Sequence, residues 1–158
     1  MKIPQGSIVL VADGRKSLFL RNAGSPVSPN LVVEEKEVRE NPPDRDQASD
    51  APGRAFTAAG SPRNRGAVSM GANHRSAYEE TDFHDLEEDR FAAETSETLR
   101  MRALGNDFAA LIVGAPSRTL GMLRKRYHKE VEARLHAEIP KDLVNMPVQE
   151  IERILKAQ

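Results

Sequence analysis

The sequence contains no cysteine. Disulfides, thiolate metal sites and a cysteine nucleophile are therefore excluded, and the composition is compatible with the cytoplasm. Long apolar runs are missing too. The run from Ile8 to Ala12 follows a single Lys2 and is broken off by Asp13-Gly14. It is shorter than the about 7–15 apolar residues of a secretory h-region. No stretch approaches the ~20 apolar residues of a membrane span. These absences predict a soluble, cytoplasmic protein with no standard export signal. Aromatic residues make up only 4% of the chain, so platforms on which bases could stack are few.

An excess of either charge is also lacking. Formal net charge is −1, so no global field draws the chain to nucleic acid. The charge is nevertheless segregated. From Glu79 to Glu97 there are nine acids against Arg90 alone. From Arg118 to Lys129 there are five bases (Arg118, Arg124, Lys125, Arg126, Lys129) and no acid. Such blocks create local fields that the near-neutral total hides, or they form ordinary solvated helix faces.

Hydrophobic patterning gives the elements. The continuous run "SIVLVADG" suits a central strand closed by a tight Asp-Gly turn, and "KSLFLRN" follows as the second arm of a hairpin. "NLVVEEKEVRE" is a third strand that turns polar toward Glu40, as an edge strand would. Asp82 can cap a helix running to about Leu104, with Asp85, Glu87 and Glu88 near its positive end and Gly105 at its C-cap. Phe91, Leu99 and Ala103 share one face of that helix. "DFAALIVGAP" reads as a buried strand, and Ser117 as the cap of a helix through Tyr127. "VEARLHAEI" alternates from Val131 to Ile139 and predicts a half-buried strand. "PVQEIERILKAQ" predicts a closing helix with Pro147 in its first turn and Ile151, Ile154 and Leu155 on one stripe.

Between the third strand and the first helix, residues 41 to about 81 show neither period. Loops beyond about 12–15 residues are uncommon and usually functional or disordered. After Asp50 this segment carries no acid as far as Arg75, yet Arg54, Arg63, Arg65 and Arg75 punctuate it. Arg suits phosphate through its planar fork, and Arg-bearing segments that order on binding are one mode of RNA recognition. Phe56 and Tyr78 are the nearby candidates for stacking. A loop that covers a sheet edge is the alternative.

The predicted order is β-β-β-(long loop)-α-β-α-β-α, an α/β chain with a mixed sheet packed by helices in a single domain spanning 1–158. This order is also that of ribonuclease-H-like domains. A nuclease of that type needs carboxylates converging on the sheet to hold metal ions. Asp13 is better placed to serve its turn, and "FAALIVGAP" offers no carboxylate. His84 and Glu88 share a helix face, but capping and i,i+4 pairing account for them, so no metal or other cofactor is expected. No G-x-S-x-G elbow is present, and "GSPRNRG" lacks the P-loop pattern.

The segments "VLVADG", "DAPGRAF…AGS", "TDFHDLEEDRFA", "LIVGAPSRTLGMLR" and "EIPKDLVNMPVQEIERIL" resemble the host-attachment protein family, required for attachment to host cells, in order and over nearly the whole chain. The segment "MGANHRSAYEETD" departs from that family's pattern, so no family role is carried to His74 or Arg75. The family is similar in turn to the central domain of archaeal and eukaryotic class-1 release factors and of Pelota, which implies a ribonuclease-H-like fold. In those proteins a Gly-Gly-Gln loop promotes peptidyl-tRNA hydrolysis. Here the corresponding loop has no Gly-Gly pair, and its one Gln, Gln47, has no adjacent Gly. The resemblance thus does not support release activity but permits contact with tRNA or ribosomal RNA on the ribosome, and without a visible export signal an effect on attachment is expected to be indirect.

Three functions follow as expectations. The first is a non-enzymatic domain binding RNA or the ribosome through Arg54, Arg63, Arg65, Arg75, Arg124, Lys125, Arg126 and Lys129. The second is a protein-interaction or regulatory module acting through the acidic helix 82–104. The third, a small hydrolase built on His74, His84 and nearby acids, has the least support.

Overall fold

The computed structural model describes residues 1–39 and 62–158, with side chains described outside 62–81. Strands β1 (Ile8–Ala12), β2 (Lys16–Asn22) and β3 (Leu31–Val38) come first. Helix α1 (Pro62–Leu104), β4 (Leu111–Gly114), α2 (Ser117–Arg124), α3 (Lys129–Arg134), β5 (Leu135–Ile139) and α4 (Val148–Lys156) follow. The sheet has five strands in the order β3-β2-β1-β4-β5. β1–β2 and β2–β3 are antiparallel, whereas β1–β4 and β4–β5 are parallel. Met1–Arg39 and Glu88–Gln158 form one compact unit, and Glu40–Glu87 forms another. The sheet, α2, α3, α4 and the C-terminal part of α1 belong to the first unit.

β1 reads as a continuous apolar run because all five of its residues are buried. Its side chains alternate between two cores. Ile8, Leu10 and Ala12 join Phe19, Leu111 and Val113 beneath Leu99 and Ala103 of α1, Leu120 and Leu123 of α2, and Val131 of α3. Val9 and Val11 join Leu18, Leu20 and Ile112 against Ile151 and Leu155 of α4, with Ile3 and Leu143. Helices thus cover both faces of the sheet. Each fully buried Leu or Ile contributes about 1.5–3 kcal/mol by area. Gly114 permits the close approach of Leu143, whose Cδ1 would lie 2.8 Å from a Cβ added there.

The expected hairpin is present. Asp13 Oδ1 accepts hydrogen bonds from the backbone N–H of Arg15 at 3.0 Å and of Lys16 at 2.9 Å. Gly14 turns the chain at φ 98°, a conformation that L side chains rarely adopt. Asp13 therefore serves the turn, as its neighbours predict. β3 lies at the sheet edge, also as expected. Phe19 opposes Glu35 whereas Leu20 opposes Val33, so Glu34 is the extra residue of a β-bulge.

Three expectations need correction. The first helix begins at Pro62 rather than Asp82, so 62–81 is helical and not irregular. Pro is favoured in a first turn, and no apolar stripe marks this part of the helix in the sequence. At the other end Gly105 stands at the cap, but Asn106 takes the left-handed conformation, at φ 55°. Asn106 N–H bonds Ala103 O and Asp107 N–H bonds Arg102 O, a Schellman arrangement. The second correction concerns Val131 to Arg134, which belong to α3, so the strand begins only at Leu135. Third, α2 stops at Arg124, and its N-cap is Pro116 with no side-chain cap from Ser117. The parallel pairing of β4 with β5 bears out the expected crossover.

Candidate nucleic-acid interface

Four of the expected site residues lie from the last residue of α2, Arg124, to the first of α3, Lys129. Buried Leu120 and Leu123 seat α2 on the sheet, and buried Val131 seats α3. Lys125 is the C-cap of α2, and Arg126 N–H closes the turn onto Leu123 O at 2.9 Å. His128 is the N-cap of α3, its Nδ1 accepting from Glu130 N–H at 3.1 Å. Between these anchors Arg124, Lys125, Arg126 and Lys129 are all exposed. The structure therefore brings them together as a basic ridge on a rigid turn. Tyr127, in the same turn, packs against the core instead of offering its ring to solvent. Its hydroxyl is buried and has no hydrogen-bond partner among the described residues. Burial holds that phenol well above its ordinary ionisation range.

Two of these cations already face carboxylates. Arg124 Nε lies 3.0 Å from Glu138 Oε1 and 3.1 Å from Oε2. Arg126 Nη2 lies 2.6 Å from Asp89 Oδ2 on α1. The hydrogen bond from Arg126 holds the Asp89 carboxyl below its usual range. Beside them, Arg118 Nη2 is 3.3 Å from Glu88 Oε2. The acid-rich and base-rich blocks of the sequence thus meet within the fold at Glu88 and Asp89. The Arg126–Asp89 pair is open to water, with side chains 37% and 47% exposed, so it is readily exchanged for other partners.

A second charged cluster lies where β2, β3 and the end of α1 converge, and nothing in the sequence pattern announces it. Arg21 bonds Glu34 and Asp107, both at 2.8 Å. Arg102 reaches Glu34 at 3.1 Å and Glu35 at 3.0 Å, with its guanidinium 5.0 Å from the centre of the Phe19 ring. The bulge at Glu34 lets neighbouring Glu34 and Glu35 both meet Arg102, while Glu34 also meets Arg21. Arg21, Glu34, Arg102 and Asp107 line an open cleft of about 380 Å³ together with Met101 and Gly105. The hydrogen bond from Arg21, followed in effect by that from Arg102, holds the Glu34 carboxyl low. The cluster as a whole sets three carboxylates, Glu34, Glu35 and Asp107, around two guanidiniums, so both cations are already matched. It braces the α1–β4 connection, which Arg134 holds from its other end through Phe108 O at 2.9 Å and Asn106 Oδ1 at 3.2 Å.

Of the remaining expected site residues, Arg54 lies outside the described residues. Arg63, Arg65 and Arg75 fall within α1, in the part whose side chains are not described. The ring of His84 meets that of Phe83 edge to face, with centroids 6.2 Å apart. Among the described residues no group of three or more His, Asp or Glu comes together as a metal site. No described helix is long and apolar enough to cross a membrane.

No individual curated protein matches the chain significantly. A family model does match, over residues 6–155, and it is described as bacterial archaeo-eukaryotic release factor family 12. That span takes in all the described strands and helices but the last residue of α4, and bears out the release-factor side of the resemblance read from the sequence. The chain belongs to bacterial archaeo-eukaryotic release factor family 12.

Proposed function

We propose that this protein is a translation-linked binding domain that contacts RNA phosphates, on the ribosome or on tRNA, through the ridge Arg124, Lys125, Arg126 and Lys129. The observation that carries the reading is the exposure of four cations on one anchored turn in a chain of a release-factor family. Arg54, Arg63, Arg65 and Arg75 extend the same chemistry along the segment before and within α1. The ridge offers charge and hydrogen-bond donors but no stacking ring, which favours backbone contact over base readout. The antiparallel β3-β2-β1 set continued by parallel β4 and β5 supports a ribonuclease-H-like reading of the fold. An effect on host-cell attachment would then be indirect, through translation.

The test is co-sedimentation with ribosomes at low and moderate salt. Wild-type protein should sediment at low salt and dissociate as salt rises, because neutralised phosphates release counterions. Lys125→Glu with Lys129→Glu should abolish the effect without altering the melting temperature. Changing Arg54, Arg63, Arg65 and Arg75 to Ser should weaken it. Absence of wild-type sedimentation at either salt would overturn the reading.

A further inference from the structure

The ridge is partly occupied by the protein itself. Asp89 Oδ2 sits 2.6 Å from Arg126 Nη2, and both Glu138 oxygens sit within 3.1 Å of Arg124 Nε. These are the distances and the donor groups that a phosphate oxygen would use. We propose that Asp89 and Glu138 are built-in competitors that hold the ridge in a low-affinity state, so that RNA binds by displacing them. This rests on the phosphate-binding reading above.

Three features support displacement rather than permanent pairing. The arginines are 56% and 37% exposed, so a polyanion can approach their outer faces without opening the core. The Arg126–Asp89 pair is open on both sides, and such ion pairs are weakly held and screened by salt, whereas Glu138 is only 19% exposed and gives up Arg124 less readily. Lys125 lies between the two arginines in the chain and Lys129 follows them, both exposed, so an incoming phosphate meets attraction before either carboxylate leaves. The competitors also lie on different elements. Asp89 is on α1 and Glu138 is on β5, so the carboxylates screen the ridge from two directions.

The test compares the full chain with Asp89→Asn, Glu138→Gln and the double variant, each titrated with a fluorescein-labelled oligouridylate across a salt series. Glu150→Gln serves as the charge control, because it removes a carboxylate from the Glu150–Arg153 pair on α4, which packs on the other face of the sheet. The double variant should bind on the order of tenfold more tightly at low salt. Its log-log salt slope should steepen by about 1.4, the value for two further single-strand phosphate contacts. Glu150→Gln should stay within about twofold of wild type on the same electrostatic reasoning. If wild type binds and the double variant binds no tighter, the competitor role fails while the phosphate-binding reading stands. An equal gain from Glu150→Gln also overturns the competitor role, since net charge would then account for it. If no form binds, both readings fall, because a ridge cleared of its carboxylates would still take no phosphate.

Discussion

Replacing Arg102 by Met removes the charge from the Arg21–Arg102 cluster while keeping an unbranched stem over Phe19. In the native structure the guanidinium reaches Glu34 at 3.1 Å, Glu35 at 3.0 Å and Asp107 at 3.4 Å, and lies 5.0 Å from the Phe19 ring centre. Its side chain is only 19% exposed, but those of its partners are 33–41% exposed, so solvent screens each pair. The ion pairs together contribute about 1–2 kcal/mol at this exposure. The cation–π contact adds about 0.5–1 kcal/mol. Arg102→Met should therefore cost about 1.5–3 kcal/mol, the sum of those two ranges, and lower the melting temperature by about 3–12 °C for a chain of this length. Urea titration at low and at 1 M salt measures it. The deficit should shrink at 1 M, where the screening length falls to ~3 Å.

The dependence on acid has a definite sign. The folded Glu34 carboxyl lies below its ordinary value, so its contribution is present above about pH 4.3 and is lost as pH falls through the depressed value. Arg102 is one of the groups that lower it, so the variant should lose less stability than wild type on acidification. A deficit under about 0.5 kcal/mol, the scale of a neutral surface change, would refute the argument. So would one that 1 M salt leaves intact.

Two further perturbations probe single side chains. Tyr127→Phe deletes a buried hydroxyl that lacks a partner among the described residues, so stability should be unchanged or rise by up to about 1 kcal/mol; a loss above 1 kcal/mol on melting would show that the hydroxyl is bonded. Above about pH 10 wild type should also weaken relative to this variant, because the folded phenol resists ionisation that the unfolded chain allows. Gly14→Ala should cost about 1–2 kcal/mol through its φ of 98°, since the nearest atom to the added methyl is Glu88 Cγ at an ordinary 3.5 Å. Gly14→Asn should recover part of that loss, and equal melting of all three forms would remove the conformational argument.

The hairpin, the edge position of β3 and the buried stripes of α1 and α4 were legible because local chemistry and tertiary demand agree there. Asp13-Gly14 closes a turn between two apolar runs, while Leu99, Ala103, Ile151 and Leu155 recur at helical spacing and are all buried. Val131 to Ile139 misled because its apolar–polar alternation also fits a helical turn followed by a strand. Glu130 and Arg134, four apart and paired at 2.9 Å, were the helical signal available. The early part of α1 lacks an apolar face, so periodicity had nothing to find. At the ridge the sequence showed which residues were basic and that acids were grouped elsewhere. It could not show that Asp89 meets Arg126 across 37 positions of chain.

The bulge in β3 also bears on how the molecule meets copies of itself. β3 ends the sheet and exposes Val32, Val33 and Val38, the kind of edge that recruits strands from other chains and seeds aggregates. Glu34 interrupts the pleat in the middle of that edge. A newcomer pairing with Val32 and Val33 would lose register before reaching Glu35, and Lys36 would stand among the positions it had to cover. The bulge that aims two carboxylates at Arg21 and Arg102 therefore also spoils the template for an intermolecular ladder, so that one inserted residue serves both cohesion and solubility.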